Sequence, residues 1–203
     1  MRGRAGAARL SRAAVRFASS SGDAVTPASR NELSRPEQAR MLRVDHAGEY
    51  GAVRIYQGQL AALGRTSERP KLEEMAEHER EHLRSFEQIL PQRRVRPTAL
   101  LPIWDVAGFA LGALSGLAGI NAAHRVTAAV EDVISNHYDK QAKEARFAGD
   151  TALAETFEKF RDDELEHKST AEDSGALQSP VPRAVDAVVK RGCRYAIWAS
   201  ERI

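Results

Sequence analysis

Glutamate and histidine residues with the spacing of metal ligands occur twice in this chain, in two sets that repeat each other. In each set a glutamate is followed seven residues later by a tyrosine and ten residues later by a glutamine. A Glu-x-x-His motif then begins thirty residues after the first glutamate in one set and thirty-three residues after it in the other. Positions i and i+3 of an α-helix lie on one face, so each motif presents a carboxylate and an imidazole together. The two sets are Glu49, Tyr56, Gln59, Glu79 and His82, and Glu131, Tyr138, Gln141, Glu164 and His167.

Two lone glutamates and two Glu-x-x-His motifs, each on its own helix, form the ligand pattern of ferritin-like di-iron bundles. Carboxylates and imidazoles suit iron or manganese, whereas structural zinc sites favour thiolates. Asp132 is next to Glu131 and is a rival ligand, but only Glu131 preserves the repeated spacing to tyrosine and glutamine. The predicted metal ligands are Glu49, Glu79, His82, Glu131, Glu164 and His167.

Two further side chains adjoin the predicted ligands. Asp163 directly precedes Glu164 and is placed to orient a ligand imidazole from outside the ligand set. His78 pairs with His82 at i, i+4, and we expect it on the surface or outside the ligand set. The glycines at positions 48 and 51 flank Glu49, where they serve either substrate access or simple helix packing.

Hydrophobic periodicity and capping signals predict helices along the chain, with no strand pattern. The predicted fold class is all-α: a ferritin-like four-helix bundle with two additional helices, one apolar and one C-terminal and amphipathic. The first predicted helix is opened by the Ser34 capping box and stopped by Gly64, and the second covers roughly 70–89 and is closed by Pro91. An apolar helix over 106–120 and a helix over about 122–147 follow. The last two predicted helices are one capped by Asp150 and one after Pro182.

The apolar segment from Val106 to Ile120 carries no charged side chain and has glycine at every fourth position from Gly108 to Gly116. About twenty apolar residues are needed to span a bilayer, so this run is too short for a transmembrane helix. It is either a buried core helix or a helix that dips into one leaflet of a membrane, and we favour membrane contact. The C-terminal helix is basic and amphipathic, which fits a membrane surface or a partner, although packing on the bundle fits equally.

Composition limits the class of protein. At 203 residues with one cysteine, Cys193, the chain can form one domain (35–203) without disulfides. Residues 1–22 are rich in arginine, alanine and serine and contain no acidic residue, which predicts a mitochondrial transit peptide. The formal net charge of +2 depends on five arginines before Asp23, and the remaining 25 basic residues are outnumbered by 28 acidic ones. Nucleic acid is therefore not expected as a partner.

Several stretches resemble the demethoxyubiquinone hydroxylase family of ubiquinone biosynthesis, and the resemblance covers residues 35–203. They are Asp45–Ala52 (DHAGEYGA), Glu79–Leu83 (EREHL), Trp104–Gly112 (WDVAGFALG), Glu131-Asp132 with His137-Tyr138, Arg161–His167 (RDDELEH) and Ser200–Arg202 (SER). The resemblance implies a ferritin-like bundle that lies peripherally on the matrix face of the mitochondrial inner membrane. It also implies a monooxygenase that hydroxylates 3-demethoxyubiquinol (5-demethoxyubiquinone) to demethylubiquinol, with O2 activated at a carboxylate-bridged di-iron centre.

The same resemblance implies cofactors and partners. Two iron ions would be bound by the six predicted ligands, and NADH or a quinol is the expected reductant. His137 and Tyr138 match family positions suggested to relay electrons. The implied partners are the lipid quinone, the membrane surface, a lipid-binding accessory subunit and other ubiquinone-synthesis enzymes.

Two other functions would use some of the same features. A ferroxidase or iron-storage protein would have the same ligands, although the long apolar segment argues against a soluble storage cage. A membrane-bound scaffold that presents quinone intermediates to other enzymes would need the apolar segment but not Glu164. Both alternatives rest on the generic fold.

Overall fold

The chain forms a bundle of α-helices. The computed structural model describes residues 32–64 and 66–203, so the predicted transit peptide at 1–22 lies outside the described residues. Within these ranges there are six α-helices, a short 3-10 helix at Ala176–Gln178 and no strand, which confirms the predicted all-α class. The helices are α1 (Arg35–Ala62), α2 (Arg69–Gln92), α3 (Leu101–Leu117), α4 (Ile120–Phe147), α5 (Thr151–Asp173) and α6 (Ala184–Ser200).

Local capping signals set the starts of two helices, α1 and α5. At the start of α1, the backbone N–H of Ser34 donates to Glu37 Oε2 at 2.8 Å, as the predicted capping box requires. At the start of α5, Asp150 Oδ1 accepts a hydrogen bond from the backbone N–H of Leu153 at 3.2 Å. The predicted stop of α2 at Pro91 is wrong, because the helix continues to Gln92. A proline removes only its own N–H, and the following backbone still donates from Arg93 to the carbonyl of Ile89.

Helices α1, α2, α4 and α5 make up the four-helix bundle, with α1 against α2 and α4 against α5. In the residues that the structure describes, the buried apolar side chains form three clusters. One surrounds Phe86, Tyr138 and Phe157, and another surrounds Tyr56 and Leu72. The third joins Ile55 of α1 and Val130 of α4 to Val189 of α6. The first two clusters therefore contain one repeated tyrosine each, and the carboxylates described below contact both tyrosines.

Helix α3 packs along α1 through glycines. A Cβ atom built on Gly112 would overlap the carbonyl oxygen of Ile55, and one built on Gly58 would overlap the carbonyl oxygen of Phe109. One built on Gly108 would lie 2.9 Å from the carbonyl oxygen of Gly51. Only glycine allows two helix backbones to approach so closely.

The outer face of α3 is apolar and exposed. Val106, Leu114 and Leu117 are 68%, 67% and 74% exposed. The alternative of a fully buried core helix is therefore wrong: α3 is buried along its glycine edge alone. No helix in 32–64 or 66–203 has the combination of length and apolar character needed to cross a membrane.

Helix α6 packs on the bundle through polar contacts to α4 and α3. Arg125 of α4 binds Asp186 through two hydrogen bonds of 2.7 and 2.8 Å. The indole N–H of Trp104 in α3 donates to Ser200 Oγ at 3.0 Å. The predicted alternative that the last helix packs on the bundle is thus confirmed, while Val188, Tyr195 and Trp198 of this helix remain exposed.

Candidate metal centre

Each helix of the four-helix bundle contributes predicted ligands to one buried cluster. Helices α1 and α4 each supply the lone glutamate of a set, and α2 and α5 each supply a Glu-x-x-His motif. All six side chains point inward and are at most 3% exposed. The six residues are Glu49, Glu79, His82, Glu131, Glu164 and His167.

The cluster consists of two overlapping groups. In 32–64 and 66–203, two sets of four residues each offer ligand atoms that lie within 4.8 Å of one another. One set adds Glu49 and His82 to a common pair, and the other adds Glu131 and His167 to the same pair. The shared residues are Glu79 and Glu164. Two shared carboxylates between two groups are the arrangement that could bridge two metal ions.

The two imidazoles face the shared carboxylates through the same ring atom. His82 Nδ1 lies 3.1 Å from Glu164 Oε1 and 3.5 Å from Glu49 Oε2. His167 Nδ1 lies 3.0 Å from Glu79 Oε1 and 3.2 Å from Glu164 Oε2. Glu164 therefore contacts both histidines, and its two oxygens face opposite halves of the cluster.

The other nitrogen of each imidazole has its own partner. His82 Nε2 lies 3.0 Å from Asp163 Oδ2, so the predicted role of Asp163 beside a ligand imidazole is confirmed as a contact. His167 Nε2 lies 3.2 Å from His78 Nδ1, which places His78 outside the ligand groups but against one of them. Such partners fix the orientation and tautomer of a ligating ring.

The two tyrosines of the repeat cross between the sets. The hydroxyl of Tyr138, from the second set, donates to Glu49 Oε1 of the first set. The hydroxyl of Tyr56, from the first set, donates to Glu131 Oε1 of the second set at 3.2 Å. The repeated spacing identified these tyrosines, but it did not indicate that each one serves the glutamate of the other set.

The two repeated glutamines lie outside the ligand groups, and their side chains contact other parts of α1 and α4. Gln59 Nε2 donates to the carbonyl oxygen of Ala123 at 3.1 Å and to Thr127 Oγ1 at 3.2 Å, which ties α1 to α4. Gln141 is also buried and faces Asp45 of α1.

The electrostatics of the cluster fit a cation. Burial and the nearby charge of Glu164 raise the pKa of both Glu79 and Glu131. Burial would also raise the pKa of Glu164, but the hydrogen bonds from His167 and His82 outweigh it and lower that pKa. Glu49 Oε2 accepts no hydrogen bond from any residue that the structure describes. Four buried carboxylates with only oxygen and nitrogen donors around them suit divalent iron or manganese.

The rival ligand Asp132 faces away from this cluster. Its carboxylate lies 2.5 Å from Lys168 Nζ of α5 and 2.6 Å from Lys190 Nζ of α6. These two ion pairs lower the pKa of Asp132. The structure therefore places Glu131, and not Asp132, in the buried cluster, while its role as a ligand stays a prediction.

His137 belongs to neither ligand group. Its Nε2 lies 3.4 Å from Asp45 Oδ1, one turn before Glu49 on α1. Of the two predicted relay residues, the structure thus brings Tyr138 to a cluster carboxylate and places His137 next to Asp45 instead. Asp45 was not predicted as a site residue, because its burial depends on contacts between α1 and α4.

An apolar cavity of about 400 Å³ lies beside the cluster, between α1, α3, α4 and α6. Its wall includes Gly48, which directly precedes Glu49, and Ala52, three residues after Glu49. It also includes Val130, which directly precedes Glu131. Gly51 is also part of this wall. A Cβ atom built on it would meet no atom within 4 Å, so there is open space beside this glycine. Helix packing therefore does not require glycine at position 51, while substrate access past Gly48 and Gly51 stays a prediction, because none of the six cluster residues is part of the cavity wall.

Comparisons with known proteins agree with this geometry. A family model described as "Ubiquinone biosynthesis protein COQ7" matches residues 36–200. The chain is 49% identical over 176 residues to the "NADPH-dependent 3-demethoxyubiquinone 3-hydroxylase, mitochondrial" of Dictyostelium discoideum, covering 86% of this chain and 81% of that protein. It is 44% identical over 176 residues to the human protein of the same name, covering 85% and 81%. It is 47% identical over 166 residues to the "3-demethoxyubiquinol 3-hydroxylase" of Rhodospirillum rubrum, covering 81% and 77%. With its buried carboxylate and histidine cluster and a match along nearly the whole helical bundle, the chain belongs to the COQ7 family of ubiquinone biosynthesis proteins.

Proposed function

We propose that this protein hydroxylates 3-demethoxyubiquinol in ubiquinone biosynthesis, using O2 at a carboxylate-bridged di-iron centre. The observation that carries the proposal is a pair of buried ligand groups that share two carboxylates and adjoin an apolar cavity. The names of the relatives in Dictyostelium and Rhodospirillum supply the substrate class. A cavity of this size and character suits a lipid quinol.

The six cluster residues would hold the two iron ions. Glu49 and His82 would serve one ion, and Glu131 and His167 the other, because these pairs belong to separate groups. Glu79 and Glu164, which belong to both groups, would bridge. When bound, the iron pair would supply the activation of O2, which no side chain of the cluster can perform by itself.

The surrounding residues would orient this centre and exclude water from it. Asp163 and His78 would hold the two imidazoles in place through their outer nitrogens. Tyr138, which donates to Glu49, is the predicted relay residue nearer to the centre. The names of the Dictyostelium and human relatives specify NADPH, so we propose a reduced nicotinamide as the electron donor, where the sequence predicted NADH or a quinol.

The proposed location is the matrix face of the mitochondrial inner membrane, bound peripherally. The mitochondrial designation of several relatives and the composition of residues 1–22 support the compartment. The exposed apolar side chains of α3, with those of α6, support contact with a membrane surface or with a lipid-binding accessory subunit. Other ubiquinone-synthesis enzymes are further proposed partners, since they supply and consume the lipid quinol.

A single turnover with isotopically labelled oxygen tests the proposed function. The purified protein would be loaded with iron, reduced anaerobically, mixed with a short-tailed demethoxyquinol and exposed to 18O2. We expect mass spectrometry to find the label in the new hydroxyl group of the quinol. Protein without iron is the control and is expected to leave the quinol unchanged.

The other two functions predict different outcomes of this experiment. Iron oxidation with an unmodified quinol would indicate a ferroxidase. Binding of the quinol without any iron chemistry would indicate a scaffold. Either result would contradict the proposed hydroxylase.

Neighbouring residues in α4 allow a matched test of the ligand assignment. Glu131→Gln is expected to lower the iron content and to slow hydroxylation at least about 100-fold, since loss of a residue merely supporting a ligand costs 10–100-fold. Asp132→Asn removes two partly exposed ion pairs, so we expect wild-type iron content and a stability loss within about 1 kcal/mol. Metal analysis and turnover of both variants check this. Equal iron loss in both would refute the assignment.

A further inference from the structure

A second cavity, which is polar, lies next to the apolar one along the same helices. It has a volume of about 260 Å³ and lies between α1, α4 and the end of α6. His137 and Gln141 form part of its wall, and the charged residues around it are Arg40, Lys140, Glu144 and Glu201. The two cavities have no lining residue in common. With a water molecule occupying about 30 Å³, this space can admit several.

Behind this wall are buried polar atoms that lack good partners. Asp45 is 3% exposed, and neither of its oxygens has a well-formed hydrogen bond to any residue in the described ranges. The same holds for Gln141 Oε1 and for His137 Nε2. The contact of 3.4 Å between His137 Nε2 and Asp45 Oδ1 is longer than an ordinary hydrogen bond. Buried polar groups are normally paired, so a cluster of this kind points to a ligand with hydrogen bonds to offer, such as water.

This polar cluster leads from the surface toward the proposed metal centre. Asp45 and Glu49 are one turn apart on α1, and residues spaced i, i+4 are neighbours on a helix surface. On α4, His137 is adjacent to Tyr138, whose hydroxyl donates to Glu49. The order from solvent inward is therefore the polar cavity, His137 with Gln141, Asp45, and then Glu49 with Tyr138.

The proposed reaction needs such a path. As the C–H bond of the quinol is replaced by C–O–H, one atom of O2 becomes the hydroxyl oxygen. The other atom leaves as water after uptake of two electrons and two protons. The reduced nicotinamide supplies the two electrons and releases one proton when it is oxidised, so one further proton is taken from solvent overall. The apolar cavity that would hold the quinol offers few groups to carry protons to the centre.

We propose that the polar cavity, His137 and Asp45 form the proton inlet of this enzyme, separate from the apolar cavity that binds the quinol. The proposal rests on the proposed function. The ligand of this inlet is water. Its two relay side chains, His137 and Asp45, would pass protons from the surface to the side of the centre where Glu49 lies. It gives His137 a role that fits its position outside the ligand groups.

The acidity of Asp45 agrees with this role. Burial raises the pKa of Asp45 to about 6, against the opposing effect of His137. The polar groups that face it are His137 and Gln141 from α4 and Glu49 from its own helix. A relay group works best when its pKa is close to the operating pH.

Two variants test the inlet in the single-turnover experiment. Asp45→Asn and His137→Ala are each expected to slow formation of labelled product about tenfold or more, with unchanged iron content. Free imidazole can enter the open cavity and is expected to restore the rate of His137→Ala but not of Asp45→Asn. The control is Asp139→Asn on α4, whose carboxylate pairs with Lys143 and Arg161 on the surface, and it is expected to keep the wild-type rate. A wild-type rate in Asp45→Asn, or no effect of imidazole on His137→Ala, would overturn the inlet.

Infrared spectroscopy of the metal-free protein gives a test that is independent of turnover. Below the pKa of about 6 for Asp45, we expect a carboxylic-acid band that is missing from Asp45→Asn. On mixing with D2O this band is expected to shift rapidly, because the cavity connects Asp45 to solvent. Absence of the band or a slow shift would overturn the inlet even if the wild-type protein hydroxylates the quinol. Conversely, a wild-type protein that makes no labelled product would contradict the proposed function, while a rapid shift would still support the proton path.

Discussion

Glu164→Ala is expected to lose both iron ions and to slow hydroxylation by about 10³-fold or more, since it removes a direct ligand from two ions at once. Glu164 belongs to both ligand groups and contacts both His82 and His167. The variant leaves each imidazole without its shared carboxylate, so neither half of the centre keeps its donor set. Iron analysis after anaerobic loading and the 18O2 turnover measure the two effects.

The control for this variant lies on the same helix. Glu166 is exposed and belongs to neither ligand group, so Glu166→Ala is expected to retain iron and the wild-type rate. Glu164→Ala with a full iron content would show that the two groups do not share this carboxylate in solution. Full iron with loss of turnover alone would instead make Glu164 important for the reaction but not for metal binding.

Gly112→Ala is expected to destabilise the protein by about 3 kcal/mol, the upper part of the range for overpacked sites. The new Cβ would overlap the carbonyl oxygen of Ile55, and this backbone cannot rotate away as a side chain could. Alanine is a better helix former than glycine by about 1 kcal/mol, so any loss is due to the contact between α1 and α3. Urea denaturation measures the change. Iron binding is expected to persist, because α3 provides none of the six predicted ligands.

A second glycine provides the opposite expectation. Gly192 lies within α6, and a Cβ built there meets no atom within 4 Å. Gly192→Ala should therefore raise the unfolding free energy by up to about 1 kcal/mol through helix propensity alone. Equal stabilities of the two alanine variants would refute the close packing of α3 on α1.

Part of the ligand cluster could be predicted from the sequence because the geometry inside each Glu-x-x-His motif is local, whereas the meeting of the four helices followed from the pattern of di-iron bundles. Within a Glu-x-x-His motif, the helical repeat alone places Glu79 beside His82, and the repeated spacing separates Glu131 from Asp132. The all-α class followed in the same way from periodicity and caps. Iron binding by these residues stays a prediction, although the structure brings all six together.

Other features depend on how distant segments meet, and the sequence did not indicate them. The pairing of His78 with His167 joins α2 to α5, and the burial of Asp45 depends on α4. The apolar character of α3 could not distinguish a core helix from a surface helix, since the glycine edge determines which side packs. Helix periodicity gives the faces of each element but not the partner that each face contacts.

The crossed tyrosines bear on how the protein assembles. Tyr56 and Glu49 lie in one half of the chain, yet each is hydrogen bonded to the other half, through Glu131 and Tyr138. Neither helical pair can complete the polar surroundings of its own glutamate, because the hydroxyl that donates to it comes from the other pair. These two hydrogen bonds therefore form only when the halves dock, and the repeat within this sequence is structurally interdependent at the centre.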